Sequence, residues 1–354
     1  MTLRYLTAGE SHGKALMGIL EGFPSNIPIT EKYIALQLKR RRLVPGRSSR
    51  QKIETDNFEI ISGLYKGKTT GAPIGLLIHN KKTNSALSQS ASPMPGHADF
   101  SAMLKYDISQ SALIRERASA RETCIRVALG SFALRFIALL GINITSKVTN
   151  LASIDLTKNK KSIMSKIEEA RKKGDTLGGV FEIKVENLPI GLGSHNQWDE
   201  KISADIGRQL LSLNAVKGIE MGEGFKLADM TGSNSLDSFE LKNNKIQRTS
   251  NIAGGIEGGI TNGQDIIIHC AIKAVPGIKK GITSINLKTG AKEIICSETS
   301  DTTAVFAGAV IAEYLIALEI ARHILKKFGG DSFDEIKDRL LLWNKQISKK
   351  LRKS

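Results

Sequence analysis

The chain has 354 residues, 41% hydrophobic but only 5% aromatic, which suits one large or two smaller cores built mainly from aliphatic side chains. Its net charge of +16, from 51 basic and 35 acidic residues, narrows the function to two classes: binding of a multiply anionic small molecule, or binding of nucleic acid. No signal segment is expected, because residues 1–6 run directly into a polar glycine turn, and three scattered cysteines without CxxC spacing (Cys124, Cys270, Cys296) suit a cytoplasmic protein with free thiols and no zinc site.

In chain order, the first hundred residues read as strands and glycine turns around one helix. Thr30 is the expected N-cap of that helix, which carries Tyr33, Ile34, Leu36 and Leu38 into the basic run Lys39–Arg42, before Pro45-Gly46 ends regular structure. Residues 57–63 and 73–78 read as strands, the second of them buried. Ser119 and Glu122 have the spacing of a capping box for a buried helix from about Ile125 to Leu140, stopped by Gly141. A charged helix over about 162–173, a strand over 180–185 and an amphipathic helix over about 202–213 follow. Residues 218–263, rich in glycine, serine and asparagine, predict ordered turns around a site, and 265–274 predicts a strand. A long apolar helix is expected over about 304–327; Glu313 and Glu319 within it argue for burial in protein rather than in a membrane. Ser332 and Glu335 predict a capping box for a last helix, and the basic end Lys349–Ser354 reads as a frayed, solvated tail. No linker or repeat divides the chain, so the expected fold is one α+β domain, 1–354, with long helices packed against antiparallel strands.

The chemistry-bearing residues favour an enzyme. Two of only six histidines lie in glycine-flanked turns, Gly9-Glu10-Ser11-His12-Gly13 and Pro95-Gly96-His97-Ala98-Asp99, each beside a carboxylate (Glu10, Asp99). Histidine gives and takes protons near neutral pH, and glycine allows the backbone to approach a ligand. Arginines cluster at Arg40, Arg41, Arg42, Arg47 and Arg50 and again at Arg115, Arg117, Arg121 and Arg126; their planar forks match carboxylate and phosphate oxygens. Ala253–Ile260 is a glycine-rich run that suits a cofactor phosphate or a flat ring, but it lacks the strand–GxGxxG–helix context of a dinucleotide fold. Asp301 precedes the long helix, where a cap is the ordinary role. The nucleic-acid alternative predicts aromatics interleaved with the basic groups, and these clusters hold almost none.

The motifs, taken together, resemble chorismate synthase over nearly the full length. The residues carrying the resemblance are 9–13, Ser62-Gly63 with Gly67–Ile74, 95–99, Glu116–Thr123, Asn214–Gly218, and Ser250-Asn251 with Ala253–Ile256. The resemblance implies a cytoplasmic homotetramer with helices packed between antiparallel sheets, a β-α-β sandwich, and no membrane or nucleic-acid partner. It implies a lyase that forms chorismate from 5-enolpyruvylshikimate 3-phosphate by anti 1,4-elimination of phosphate, at the end of the shikimate pathway. The cofactor implied is reduced FMN, with NADPH as the candidate reductant. By motif, His12 and His97 match the family's acid–base histidines, one serving the departing phosphate and the other the reduced flavin, and Asp301 matches the aspartate that acts with the flavin as base. Arg117, Ala118, Ser119, Asn214, Ala215, Gly258, Thr299 and the loop Lys273, Ala274, Val275, Pro276, Gly277 match flavin contacts, and Arg41 and Arg47 match an anion-binding loop also described as an NADP site. Three positions depart from the family pattern: Thr299 stands where arginine is expected, Ile252 where histidine is common, and Met94 where arginine is common. Lys292 is the candidate to compensate for Thr299.

Overall fold

The structure is a computed structural model that describes residues 2–48, 54–81, 83, 88–156, 163–297 and 300–353. Two antiparallel sheets enclose a layer of helices. The first sheet contains β1 (Arg4–Gly9), β2 (Ala15–Glu21), β3 (Phe58–Ser62) and β4 (Ile74–His79), in the order β1-β2-β4-β3. The second contains β5 (Asn143–Leu151), β6 (Ile154–Asp155), β7 (Gly179–Glu186), β8 (Val216–Met221) and β9 (Ile266–Ile272), in the order β8-β9-β7-β5-β6. Alternation along the strands decides which face turns inward: Leu16, Leu20, Ile74, Leu76 and Ile78 are buried on the first sheet, and Phe181, Ile183, Val185, Ile266, Ile268 and Ile272 on the second.

The helices are α1 (Glu31–Arg42), α2 (Asp99–Tyr106), α3 (Ser111–Ala118), α4 (Thr123–Leu139), α5 (Ile163–Lys172), α6 (Ile202–Leu211), α7 (Val305–Phe328) and α8 (Phe333–Leu351). Helix α4 packs on β2 and β4, α7 packs on β5 and β7, and the two helices pack on each other between the sheets. Both are apolar on nearly every side because both are covered on nearly every side. Gly130 permits the contact: a Cβ there would lie 2.5 Å from the Tyr314 Cβ.

Most local signals act as expected. The Thr30 hydroxyl caps α1 by accepting from Tyr33 N, and Ser332 with Glu335 forms the capping box of α8. Gly141, with positive φ, closes α4 through Gly141 N–H to Ala138 O and Ile142 N–H to Ile137 O. The Ser119–Glu122 capping box does not form. Ser119 accepts from Arg121 N and caps a three-residue 3₁₀ turn, whereas Glu122 accepts from the Thr7 hydroxyl at 2.8 Å, so a tertiary partner takes the carboxylate. The strand at Ile74–His79 is buried on one face only. The basic end is not frayed: α8 continues through Leu351, and Lys353 N donates to Asn244 O at 2.9 Å, docking the end on the hairpin Phe239–Lys242/Lys245–Arg248.

Among the described residues, no helix is long and apolar enough to cross a membrane. In α7, Glu313 pairs with Arg40 at 2.7 Å and Glu319 with Arg322 at 2.5 Å, so both carboxylates are neutralised inside the protein. Next to them Asp205 bonds Arg322 at 2.6 Å and His323 at 2.9 Å. Burial alone would raise the Asp205 pKa, but the Arg322 guanidinium holds it below the usual carboxylate range. Burial and the same guanidinium push His323 down from 6.5 to about 4, so the imidazole is neutral in the fold. Because the unfolded chain protonates His323 first, stability falls as pH drops from 6.5 towards 4, by up to about 3 kcal/mol. Thermal melts across that window should show the loss, and His323→Gln should flatten it.

Candidate active site

A cleft of about 890 Å³ opens at the end of the sandwich where β8 begins and β9 finishes. Its walls come from the β1–β2 turn, the end of α1 and the segment after it, the turn before α2, the α3–α4 junction, the segments Leu211–Lys217 and Ile272–Gly277, and the start of α7.

Both glycine-flanked histidines line it. Gly9 serves the strand crossing rather than a ligand: at φ +100° a Cβ would lie 2.4 Å from Ala15 O. The turn that follows is held by Asn80, whose amide donates to Glu10 O and Gly13 O while its own oxygen accepts from Arg121 Nε at 2.9 Å. The carboxylate beside His12 is Glu116 on α3, not Glu10. His12 Nδ1 donates to Glu116 Oε1 at 2.7 Å, and His12 N donates to Glu116 Oε2 at 2.6 Å. His97 has the partner expected from its turn: Nδ1 bonds Asp99, whose other oxygen accepts from Met94 N at 3.0 Å and lies 3.5 Å from Arg115 Nε. Each imidazole therefore has Nδ1 tied to its own carboxylate, leaving Nε2 as the nitrogen for proton exchange.

The arginines divide by burial. Arg41 is 1% exposed; its Nε donates to the Thr123 hydroxyl, its Nη2 to Ala120 O, and its Nη1 lies 3.8 Å from Asp56. Arg47 pairs with Asp301, which also accepts from Ser48 N at 2.7 Å. Burial pulls Arg47 down from 12.5 to about 10, against the opposing pull of Asp301, so it stays cationic at neutral pH. Gly46, at positive φ, lets this segment pass against Thr303 and so carries Arg47 to Asp301. Among the described residues, Arg41 Nη1 and Arg47 Nε are buried without a hydrogen-bond partner. Arg41 Nη1 faces the Asp56 carboxylate at 3.8 Å, whose Oδ2 likewise has no hydrogen bond, so Arg47 Nε is the guanidinium nitrogen of the two that has no charged group opposite it. Lys217 and Lys273 also line the cleft. Arg121 also lines the cleft but is paired with Asp56, Arg40 pairs with Glu313, Arg126 donates to Ser212 and Gln209, and Arg42 donates to Glu54 O. The basic clusters thus point largely inward, which weighs against a nucleic-acid surface.

Of the other residues matched by resemblance, Ala118, Ser119, Asn214, Ala215, Lys273, Val275, Pro276 and Gly277 line the cleft. Ala215 holds φ +68°, a strained conformation at the cleft wall, with its carbonyl accepting from Lys273 N. Arg117, Ala274 and Gly258 do not line it. Arg117 donates to Thr7 O and Gly9 O and steadies β1, and Gly258 lies near His195. Within the glycine-rich run 253–260, a Cβ at Gly254 or Gly255 would strike backbone at Gly222 or Asp265, so these two glycines are required by chain packing. More broadly, the turns of 218–263 do not reach the cleft of this chain. Met94 lines it; Ile252 and Lys292 do not; Thr299 and Arg50 lie outside the described residues. Sequence reasoning missed Glu116, Lys217 and Ser48 as cleft residues, although Glu116 and Lys217 sit inside motifs already singled out.

The family model described as Chorismate synthase matches residues 3–325. A chorismate synthase of Thermoanaerobacter pseudethanolicus is 44% identical over 340 residues, covering 95% of this chain and 96% of that protein. One of Corynebacterium aurimucosum is 37% identical over 397 residues, covering 99% and 98%. A solved structure, described as the crystal structure of chorismate synthase, superposes with a TM-score of 0.80 at 34% identity, covering 99% of each chain.

Proposed function

Since this chain belongs to the chorismate synthase family, we propose that its cleft converts 5-enolpyruvylshikimate 3-phosphate to chorismate by anti 1,4-elimination of phosphate. One observation carries this reading: two carboxylate-tethered histidines share one cleft with the guanidinium groups of Arg41 and Arg47. A substrate with two carboxylates and a phosphate needs several fixed cations, and arginine forks hold such oxygens in defined directions. Lys217 and Lys273 add positive charge at the same walls. A histidine that gives its Nε2 proton to the departing phosphate offsets the charge that builds as the carbon–oxygen bond breaks. The second histidine serves a separate proton, since each ring is tied to a different carboxylate. Asp301, whose oxygens hold Arg47 and Ser48 N, retains lone pairs for a base role beside them.

The cleft fits reduced FMN as well as substrate. Its volume lies in the upper range for small-molecule sites, and Ala118, Ser119, Asn214 and Ala215 form one wall of it. Bound there, reduced FMN supplies electron density to the substrate and so eases loss of the C6 proton and of phosphate. The three free cysteines support a cytoplasmic setting.

The test is an anaerobic assay for chorismate with photoreduced FMN, with oxidised FMN and with oxidised FMN plus NADPH. Product only with reduced flavin supports the reading, and product in the NADPH arm adds self-reduction. No product under any condition sinks it. A homotetramer is part of the same proposal: the outer face of the first sheet exposes Leu6, Met17, Ile19 and Ile61, an apolar surface suited to self-association. Light scattering should give four times 38.5 kDa, and Leu6→Glu with Ile19→Glu should lower it.

A further inference from the structure

We propose that Glu116 is a positioning residue that sets the ring orientation and tautomer of His12; this rests on the proposed acid–base role of His12. Two contacts join these residues directly, and a third holds the preceding residue, Ser11, to Glu116. His12 Nδ1 and His12 N donate to the two oxygens of the Glu116 carboxylate, at 2.7 and 2.6 Å, and Ser11 N donates to the Glu116 backbone oxygen at 3.0 Å. Glu116 is 8% exposed and belongs to α3, so a glutamate on a helix clamps a turn that has no regular structure of its own. The clamp is selective for one chemical form. A carboxylate only accepts, so the ring nitrogen facing it must carry hydrogen. The neutral ring is then the Nδ1–H tautomer with a bare Nε2, and the charged ring keeps Nδ1–H on Glu116 while Nε2–H is the proton available to give. Glu10, two residues before His12, takes no part in this contact.

Glu116→Gln is the informative substitution, since it keeps shape and removes one acceptor. Glutamine has one oxygen, and both His12 N–H groups require one. If that oxygen stays with His12 N, the amide NH₂ faces Nδ1 and selects the Nε2–H tautomer, whose Nε2 has no lone pair to take a proton and whose charged form would set Nδ1–H against the amide NH₂.

Ring ¹⁵N–¹H correlation spectra of the intact protein, with His12 assigned by loss of its signal in His12→Asn, read the tautomer without reference to activity. The expected result is an Nδ1–H neutral tautomer in the wild type, lost in Glu116→Gln. A wild-type His12 in the Nε2–H form overturns the proposal even if no variant folds. In the chorismate assay, Glu116→Gln should lower kcat by at least about tenfold with KM nearly unchanged, and should change the pH profile of kcat. A lower melting temperature with kcat and pH profile unchanged would mean a purely structural glutamate and also overturns it. If the wild type makes no chorismate, the functional reading fails while the spectra still decide the Glu116 question.

Discussion

His12→Ala and His97→Ala are each expected to lower turnover by at least about a hundredfold, the range that a lost general acid or base produces. Neither should unfold the protein. In His12→Ala, Glu116 still accepts from the backbone N–H at residue 12, and in His97→Ala, fully buried Asp99 keeps Met94 N and has Arg115 as its counter-ion. The separate carboxylate partners make a further demand. If the two rings handle different protons, their losses should multiply in the double variant; a catalytic dyad would show little extra cost once one member is gone. Turnover under anaerobic conditions with reduced FMN, alongside melting temperatures, checks both points. Near-normal rates in either single variant would remove that histidine from the chemistry.

Asp301→Asn should be costly in two separable ways. The carboxylate pairs with Arg47, which is 8% exposed at its side chain, and also accepts from Ser48 N. An asparagine oxygen can keep Ser48, but then the amide NH₂ faces Arg47, leaving a buried guanidinium without its counter-charge. Removing one partner of a buried pair costs about 3–5 kcal/mol. Arg47 would also lose the charge that opposes the downward pull of burial on its pKa, which already brings it to about 10. Activity is expected to fall by at least about a hundredfold. The double variant Arg47→Met/Asp301→Asn should recover much of the melting temperature and none of the activity. Recovery of both would mean that the pair is only structural.

Much of the fold was legible because local rules dominate where local partners suffice. Thr30, Gly141 and the Ser332–Glu335 box act on backbone groups within a few residues, and no tertiary contact competes. The Ser119–Glu122 box failed because Thr7 lies across the sheet within reach of Glu122. The same limit explains the carboxylate beside His12: Glu10 is two residues away in sequence, but a side chain more than a hundred residues away is adjacent in space. Arginine clustering was equally ambiguous. Arg40, Arg41 and Arg42 are consecutive, yet successive helix positions face different directions, so Arg40 meets Glu313 while Arg41 reaches the cleft.

The sequence by itself determined the long helices, the strands over 57–63, 73–78, 180–185 and 265–274, and two histidines held in turns, but not the helices Asp99–Tyr106 and Ser111–Ala118 or the strands Asn143–Leu151 and Val216–Met221. Those depend on periodicity, capping and the conformational freedom of glycine, which act over a few residues. Only the tertiary structure decided which carboxylate orients each histidine, which arginine nitrogens remain unsatisfied, and that Gly254 and Gly255 of the glycine-rich run pack on backbone away from the cleft. Those are questions of distance between segments far apart in the chain. They were settled when α4 and α7 packed between the two sheets and brought the β1–β2 turn, α3 and the start of α7 to one end.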